Sequence, residues 1–568
     1  MRPRDYQSDS LRKIREEWKE HQSTLLCLPT GCGKTCVFSW LIHQMFPRRA
    51  LVLCHRRELV QQAYEKISVI TGFKTAIEMG DQRVILGDMH GDPHVVVSTV
   101  QTQTAGGDGS GRMSKWPPDY FGLLVCDESH RSVSPQWKRC LSWYKQNPRL
   151  KILGVTATPD RADEEALGQI YETVAKDYEI EDAVDDGWLV RPQQQFITVG
   201  TLDFSQIRTT AGDLNGSDLA RVMEEEKNEQ GMIMPSIEVA FGLPEQTLIK
   251  IDPSKWPEFL MSLNRQARTS LFFTASVKQA EITASIFNRA FPGIATWACG
   301  KTPEDERKQK LADFKAGRIR IMVNCNLYTE GFDYPGVEVI FVGKPTKSRS
   351  LYAQMLGRSL RPAENIAHEL NDCDDAVARC AMIAASEKPR ATIIDYAGNA
   401  GRHKLCCSAD ILGGNVSDDV LEAAVRTAKE RGTPVDMTDI IEEEQRKADA
   451  EAARRARLVA RAKYVSMTID PFDAYQIPRP KARGWDAGRQ LTEKQQALLA
   501  KQGFDPERLG YTDGKAILTE LFRRWEDNQC SFKMAKILRK HGLDGNVSFE
   551  VAKQQIDEIA EREGWAKR

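Results

Sequence analysis

The sequence predicts an α/β chain. Two parallel-sheet domains are separated by an irregular insertion and followed by an α-helical C-terminal extension. Three observations carry this expectation. From about residue 50 to 158, short β-branched runs alternate with helical patterns: "ALVLCH" leads into "RELVQQAYEKI", and "HVVVST", "GLLVCDE" and "KILGVTAT" follow. Each run ends in polar residues, the βαβ rhythm of a parallel sheet with its working loops at the strand C-termini. The rhythm breaks after Pro192 and resumes with "TSLFFTAS", "ATWACG", "RIRIMVNCN", "GVEVIFVG" and "ATIIDYAG". Beyond about residue 418 the strand patterns stop and charged helical ones take over.

The chain has 568 residues, too many for one ordinary core. Hydrophobic residues make up 41% and charged residues 28%, the balance of a globular chain. No apolar stretch reaches the length of a membrane span, and "MRPRDYQSDS" is not a signal peptide, so a cytoplasmic setting is expected. The formal net charge is −1, so nucleic-acid affinity would have to come from a local groove. The 13 cysteines include Cys27, Cys54 and Cys126 in apolar strands, as expected of buried thiols in a reducing compartment. Cys373, Cys380, Cys406 and Cys407 have no standard zinc spacing and read as unpaired thiols.

The domains follow in order: 1–192, a connector over 193–260, 261–417, a charged helix and linker over 418–490, and a small helical domain over 491–568. The first domain opens with "LLCLPTGCGKTCVF", residues 25–38. A strand, a turn of small residues and a helix make a phosphate cradle. Backbone N–H groups of Thr30, Gly31, Cys32 and Gly33 and the helix N-terminus face the anion. Lys34 adds a point charge and the Thr35 hydroxyl is a Mg²⁺ ligand. The general pattern places glycine at position 28, where this chain has Leu28. In "LLVCDESH" an acidic pair ends a hydrophobic strand. Asp127 suits the metal, and Glu128 suits a general base that polarises water. The connector carries one helical patch, "SDLARVMEEEKNEQ". Residues 438–463 read as one helix, acidic first and basic last, which suits the helix dipole. After a proline-containing linker, Thr492 and Gln495 form a capping box that opens the tail. Within the tail, Ile517, Leu518, Leu521, Phe522 and Trp525 share one helical face, and Arg523 and Arg524 read as exposed and open to a partner.

Over roughly residues 1–400 this ordered set resembles the DExH side of superfamily 2 helicases and translocases. The resemblance implies two RecA-like domains, ATP and Mg²⁺. Arg4, Tyr6 and Gln7 in "RPRDYQ" look like the adenine-reading element, and "PTGCGKT" is the family's own phosphate loop, without the first glycine. "HRRELVQQ" and "STVQT" match strand-tracking motifs and "TATP" (156–159) the coupling motif. "FFTAS" (272–276), "LYTEGFDYP" (327–335) and "QMLGRSLRP" match the second-domain motifs. The resemblance places Gly331 and Asp333 at the nucleotide. It places Gln354, Arg358 and Arg361 across an interdomain cleft from the phosphates, where the planar arginine fork suits developing charge. Ser98, Thr99, Thr274 and Thr329 are expected at nucleic-acid phosphates. Arg56 and Gln61 are either further contacts or plain surface residues.

The ending "DYAGNAGRHKL" (395–405) resembles bacterial and phage RadD-like and type III restriction motor-like DNA helicases. The implied function is ATP-driven movement along or remodelling of DNA in replication, repair or recombination. Two alternatives stay open. An RNA helicase is one, although the last motif here reads Q-x-x-G-R-x-x-R. The other is a motor or DNA-binding subunit of a restriction or defence complex, activated by a protein partner through the helical tail.

Overall fold

A computed structural model describes residues 2–87, 91–106, 111–157, 167–210, 212–329, 331–399, 405–412, 416–431, 435–461, 472, 477, 486, 488–541 and 543–563. The chain divides into two compact units, one comprising essentially residues 1–448 and the other essentially 449–568.

The larger unit contains two seven-stranded sheets. In the first, β1 (Ser23–Cys27), β2 (Ala50–Cys54), β3 (Thr75–Glu78), β4 (Val95–Thr99), β5 (Leu123–Asp127), β6 (Lys151–Thr156) and β7 (Thr173–Asp177) run parallel in the order β3-β4-β2-β5-β6-β1-β7. β1, β2, β4 and β5 are buried along their whole length. That explains why they read as unbroken apolar runs with no alternation. The C-terminal ends of β1 and β5 lie on the same sheet edge, separated only by β6, so the phosphate-type loop and the acidic pair converge.

The second sheet corrects the domain boundary. β8 is Arg191–Asp203, the first strand of the segment read as an irregular connector. With β11 (Ser270–Thr274), β12 (Ala295–Cys299), β13 (Ile321–Cys325), β14 (Val339–Gly343), β15 (Arg390–Asn399) and β16 (Val435–Asp436) it forms the order β12-β13-β11-β14-β15-β8-β16. The strands are parallel except for β16, which pairs antiparallel with β8. A short two-stranded ribbon, β9 (Thr209–Thr210) with β10 (Asp213–Leu214), lies within the same segment. Helices Gly216–Met223, Glu226–Phe241 and Trp256–Ser262 pack Met223, Met232, Ile233, Phe241 and Leu260 into one core with Phe272 and Phe341 of the second sheet and Phe287 of the helix Val277–Ala290. Residues 193–260 are therefore part of the second domain. The polar start of β8, "RPQQQ", hides a strand whose Gln194 is fully buried. β16 also corrects the expectation that strands end before residue 418.

A helix spans Met437–Arg461, and residues 462 and 463 of the expected helix lie outside the described residues. In the smaller unit, helices Glu493–Lys501, Tyr511–Glu526, Phe532–Lys540 and Phe549–Glu563 close around Leu499, Ile517, Leu518, Leu521, Phe532 and Leu538. The capping box forms: Gln495 N–H donates to Thr492 Oγ1 at 3.3 Å, and Thr492 N–H donates to Gln495 Oε1 at 3.0 Å. Two expectations are revised. Phe522 and Trp525 are exposed, at 47% and 48%, whereas Arg524 is buried at 1%. Arg524 donates to Cys530 O at 3.0 Å, Gly545 O at 2.7 Å and Asn546 Oδ1 at 3.1 Å, and packs over the Phe532 ring. A guanidinium with five N–H donors satisfies carbonyls that an apolar side chain would leave unpaired. Among the described residues, no helix is long and apolar enough to cross a membrane.

Candidate nucleotide-hydrolysis site

The loop after β1 turns through two left-handed glycines, Gly31 at φ 96° and Gly33 at φ 71°. A residue with Cβ pays a steric cost at these angles. At Gly33 a Cβ would also lie 2.8 Å from the Gln7 amide nitrogen. The helix Lys34–Gln44 starts immediately after Gly33, so its first N–H groups point into the loop. Tyr6 hydroxyl and Gln7 Nε2 each donate to Cys32 O at 3.0 Å, which anchors the outer side of the loop. Cys32 N–H donates to Pro29 O at 3.2 Å. Its side chain is buried, and burial pushes the thiol up to about 12, so the sulfur is an unreactive packing group. Thr35 is partly exposed on the first helical turn.

Across the loop, β5 delivers Asp127, and Glu128 follows in the left-handed region at φ 51°. That conformation is uncommon for a residue with a side chain, and such strain collects at working sites. Here it turns the Glu128 carboxylate towards the loop, with Lys34 Nζ 3.7 Å from Oε1. Glu128 N–H donates to Asp127 Oδ1 at 3.0 Å. His130 Nδ1 lies 3.5 Å from Glu128 Oε2 and 3.3 Å from Thr156 Oγ1. The acidic pair thus touches the start of "TATP" through one imidazole; Thr158 and Pro159 of that motif lie outside the described residues.

The second domain closes the site from the other side. Gln354 is buried on the helix Arg349–Leu356. A Cβ on Gly357 would come 2.7 Å from Thr30 Cβ, so the turn after this helix rests on the phosphate-type loop. A Cβ on Gly31 would lie 3.4 Å from Arg361 Cγ, so the arginine stem crosses that glycine. Arg361 pairs with Asp333, and burial lowers its proton affinity. Arg358 donates to Thr329 O at 3.1 Å and Phe332 O at 2.6 Å. Gly331 O accepts from Gln62 Nε2 at 2.7 Å, a further tie between the domains.

Sequence reasoning missed Tyr178 and Trp188, which join Tyr6 in an aromatic wall beside Arg4 and Gln7. Trp188 has the Arg4 and Arg379 guanidinium groups 4.3 and 4.2 Å from its ring centre, and Tyr6 stacks on Tyr178 at 4.8 Å. Gln7 Oε1 accepts Arg4 N–H at 2.9 Å. It also missed the domain-spanning ties Arg349–Glu179 at 3.4 Å, Arg307–Glu58 at 3.5 Å and Val190 N–H to Leu360 O at 2.7 Å. None of these pairs is close in sequence, and only the lone tryptophan in "DDGWLVRP" was a signal.

The hydroxyls expected at nucleic acid are placed differently. Ser98 is fully buried, donating to Glu78 O at 2.7 Å and accepting from Gln103 Nε2 at 2.8 Å. Thr274 is fully buried and donates to Asn324 O at 3.1 Å. Neither side chain presents a hydroxyl to solvent. Thr99 caps the helix Val100–Thr104, accepting Thr102 N–H at 3.1 Å. Thr329 is buried, with its carbonyl engaged by Arg358. Arg56 is half-buried, its Nε 3.2 Å from His55 Nε2. Glu330, and residues 400–404 of "DYAGNAGRHKL", lie outside the described residues.

Residues 1–161 match the family "Type III restriction enzyme, res subunit", and residues 254–363 match the "Helicase conserved C-terminal domain". The chain is 29% identical over 374 residues to the putative ATP-dependent helicase IRC3 of Saccharomyces cerevisiae, covering 63% of this chain and 49% of that protein. It is 26% identical over 340 residues to a 51.5 kDa protein of a Lactococcus phage, covering 59% and 61%. It is 25% identical over 372 residues to the putative DNA 3'-5' helicase Rad25 of Haloarcula marismortui, covering 64% and 51%. The matched region thus spans about half to three-fifths of these relatives. Residues 1–161 and 254–363 are thus similar to restriction-enzyme motor subunits and helicases, and the phosphate-type loop, the acidic pair and the opposed arginines lie in one cleft between them.

Proposed function

We propose that the protein is an ATP-dependent DNA helicase or translocase. It couples ATP hydrolysis to movement along, or remodelling of, DNA in replication, repair or recombination. The observation that carries this reading is the composition of the cleft: Lys34 and Glu128 of one sheet, 3.7 Å apart, face Arg361 of the other, whose stem crosses Gly31.

The loop Thr30–Gly33 and the first turn of the next helix hold the phosphates through backbone N–H groups, and Lys34 adds charge. Adenine sits at Arg4 and Gln7, with Gly331 and Asp333 at the nucleotide from the second domain. Thr35 and Asp127 offer a hydroxyl and a buried strand-end carboxylate, hard oxygen donors that fit Mg²⁺. That ion supplies charge neutralisation at the phosphates when bound. Glu128 orients and deprotonates the attacking water, and departure of ATP-bound Lys34 from Glu128 frees the carboxylate for this role. Gln354, Arg358 and Arg361 stabilise the charge on the transferring phosphoryl group. Because these groups come from two domains, hydrolysis needs the cleft closed, and product release relaxes it. Thr99, Thr329 and Arg56, with neighbouring backbone N–H groups, follow the nucleic-acid backbone without reading bases. Ser98 and Thr274 act through their strand ends.

The test is ATP hydrolysis at one fixed salt concentration with no nucleic acid, single-stranded DNA, duplex DNA, forked DNA and RNA, since phosphate contacts make affinity steeply salt-dependent. Stimulation by DNA, strongest on a fork, is expected. Stimulation by RNA alone overturns the DNA assignment in favour of an RNA helicase. The match of residues 1–161 to a restriction-enzyme subunit family favours one second reading, a motor subunit of a restriction or defence complex. That reading expects no stimulation until a protein partner binds, and the helical unit is the place to look for it. Both readings set the protein in the cytoplasm of a bacterial or phage-infected cell.

A further inference from the structure

The segment between helix Ala376–Ala384 and β15 buries a lysine that belongs to none of the motifs. Lys388 is 4% exposed. Its ammonium donates to Pro335 O at 2.7 Å and to Arg361 O at 2.8 Å. Pro335 ends the "GFDYP" loop and Arg361 ends "GRSLR". The same two loops are joined by Arg358, which donates to Thr329 O and Phe332 O, and by the pairing of Arg361 with Asp333. Residues 329, 331–335 and 358–361 therefore form one cross-tied block, and Lys388 reaches it from a third segment.

We propose that Lys388 is a positioning residue that fixes the backbone root of Arg361, and so the reach of that guanidinium across Gly31 to the phosphates. This rests on the reading of Arg361 given above.

The chemistry explains why a lysine is there. Two part-buried carbonyls take their donor from this one buried ammonium, and leaving either without a donor carries a cost. Burying an ammonium is also unfavourable, and burial pulls Lys388 down to about 7, with Glu338 favouring the charged form and Arg361 opposing it. A flexible four-carbon stem supplies both donors from one atom, in either protonation state. A methionine would fill the volume without the desolvation cost, but it would free both carbonyls. Arg361 would then swing from an unfixed root, and a misplacement of about 1 Å at a reacting group can cost about a hundredfold in rate.

The test is a kinetic cycle in the full chain with DNA present: Lys388→Met, Arg361→Ala and the double variant, each checked for native thermal unfolding. Lys388→Met should lower kcat by about ten- to a hundredfold, with KM for ATP within about twofold. The double variant should be no slower than Arg361→Ala, because the lysine acts only through the arginine. Lys388→Arg, which keeps two donors, should recover part of kcat. A folded Lys388→Met at the parent rate, or losses that multiply in the double variant, would overturn the inference. If Lys388→Met does not fold, the same cycle with Lys388→Gln decides it, since one amide donor is kept. Arg361→Ala at the parent rate would instead overturn the role given to Arg361; a slow Arg361→Ala beside a parent-like Lys388→Met would overturn this inference alone.

Discussion

The two halves of the cleft are built by different means. The first-domain half is local: β1, two left-handed glycines and a helix start lie within residues 23–44, and β5 adds Asp127 and Glu128 directly. The second-domain half is assembled at long range. Arg358 is held by carbonyls 26 and 29 residues away, and Lys388 joins carbonyls 27 and 53 residues away. The lesson is that a loop shaped by its own backbone should lose chemistry, not shape, when one side chain is removed. A block held by cross-ties should lose position as well.

The largest effect should follow Lys34→Ala, which removes a charge from a loop whose glycines keep their form. ATP turnover should fall to background with far-UV circular dichroism unchanged; turnover near the parent rate would break the assignment of the local half. Glu128→Gln should slow hydrolysis by about 10²–10⁴-fold while ATP and nucleic acid stay bound, measured by single-turnover kinetics and filter binding. Arg361→Ala should cost about 10²–10³-fold in kcat, measured in the same assay. A loss in KM with kcat intact would show that the long-range half only binds nucleotide.

Smaller effects sharpen the comparison through stability. Glu229 is fully buried on the helix Glu226–Phe241, accepts from Thr283 Oγ1 at 3.0 Å, and is pushed up to about 8 by burial. Its folded-state affinity for a proton exceeds its unfolded one. The stability it contributes is therefore present below about pH 4.5 and lost as pH rises through about 8, by up to about 1.4 kcal/mol per pH unit. Glu229→Gln should flatten the decline of Tm between pH 5 and 8.5, read by calorimetry. In the smaller unit, Arg524→Ala should cost about 1–3 kcal/mol in unfolding free energy, because Cys530 and Gly545 carbonyls lose their donor. Denaturant titration followed by Trp525 fluorescence would measure it.

Sequence legibility follows the same division. Strands buried along their length declare themselves as apolar runs, so β1, β2, β4, β5 and β6 were readable, whereas the partly exposed β3 and β7 were not. β8 was not, because Gln193, Gln194 and Gln195 look like a loop, although Gln194 is buried against Tyr352 and Asp395. Arg524 was read as exposed from its type, yet it feeds backbone carbonyls of a later turn. Helical spacing puts Phe522 and Trp525 on one face with Ile517, Leu518 and Leu521, yet the buried face is Ile517, Leu518, Leu521 and Arg524.

By itself, the sequence determined the glycine loop with Lys34 and Thr35 and the acidic strand end, because each rests on neighbours within a few residues, and the order of the apolar runs set two sheets one after the other. Only the tertiary structure decided that Arg361 crosses Gly31, that Ser98 and Thr274 turn inward, that residues 193–260 complete the second sheet, and that Lys388 ties two loops together. These depend on which carbonyls and cavities distant segments bring together, and a backbone acceptor leaves no mark in the identity of the residue that carries it.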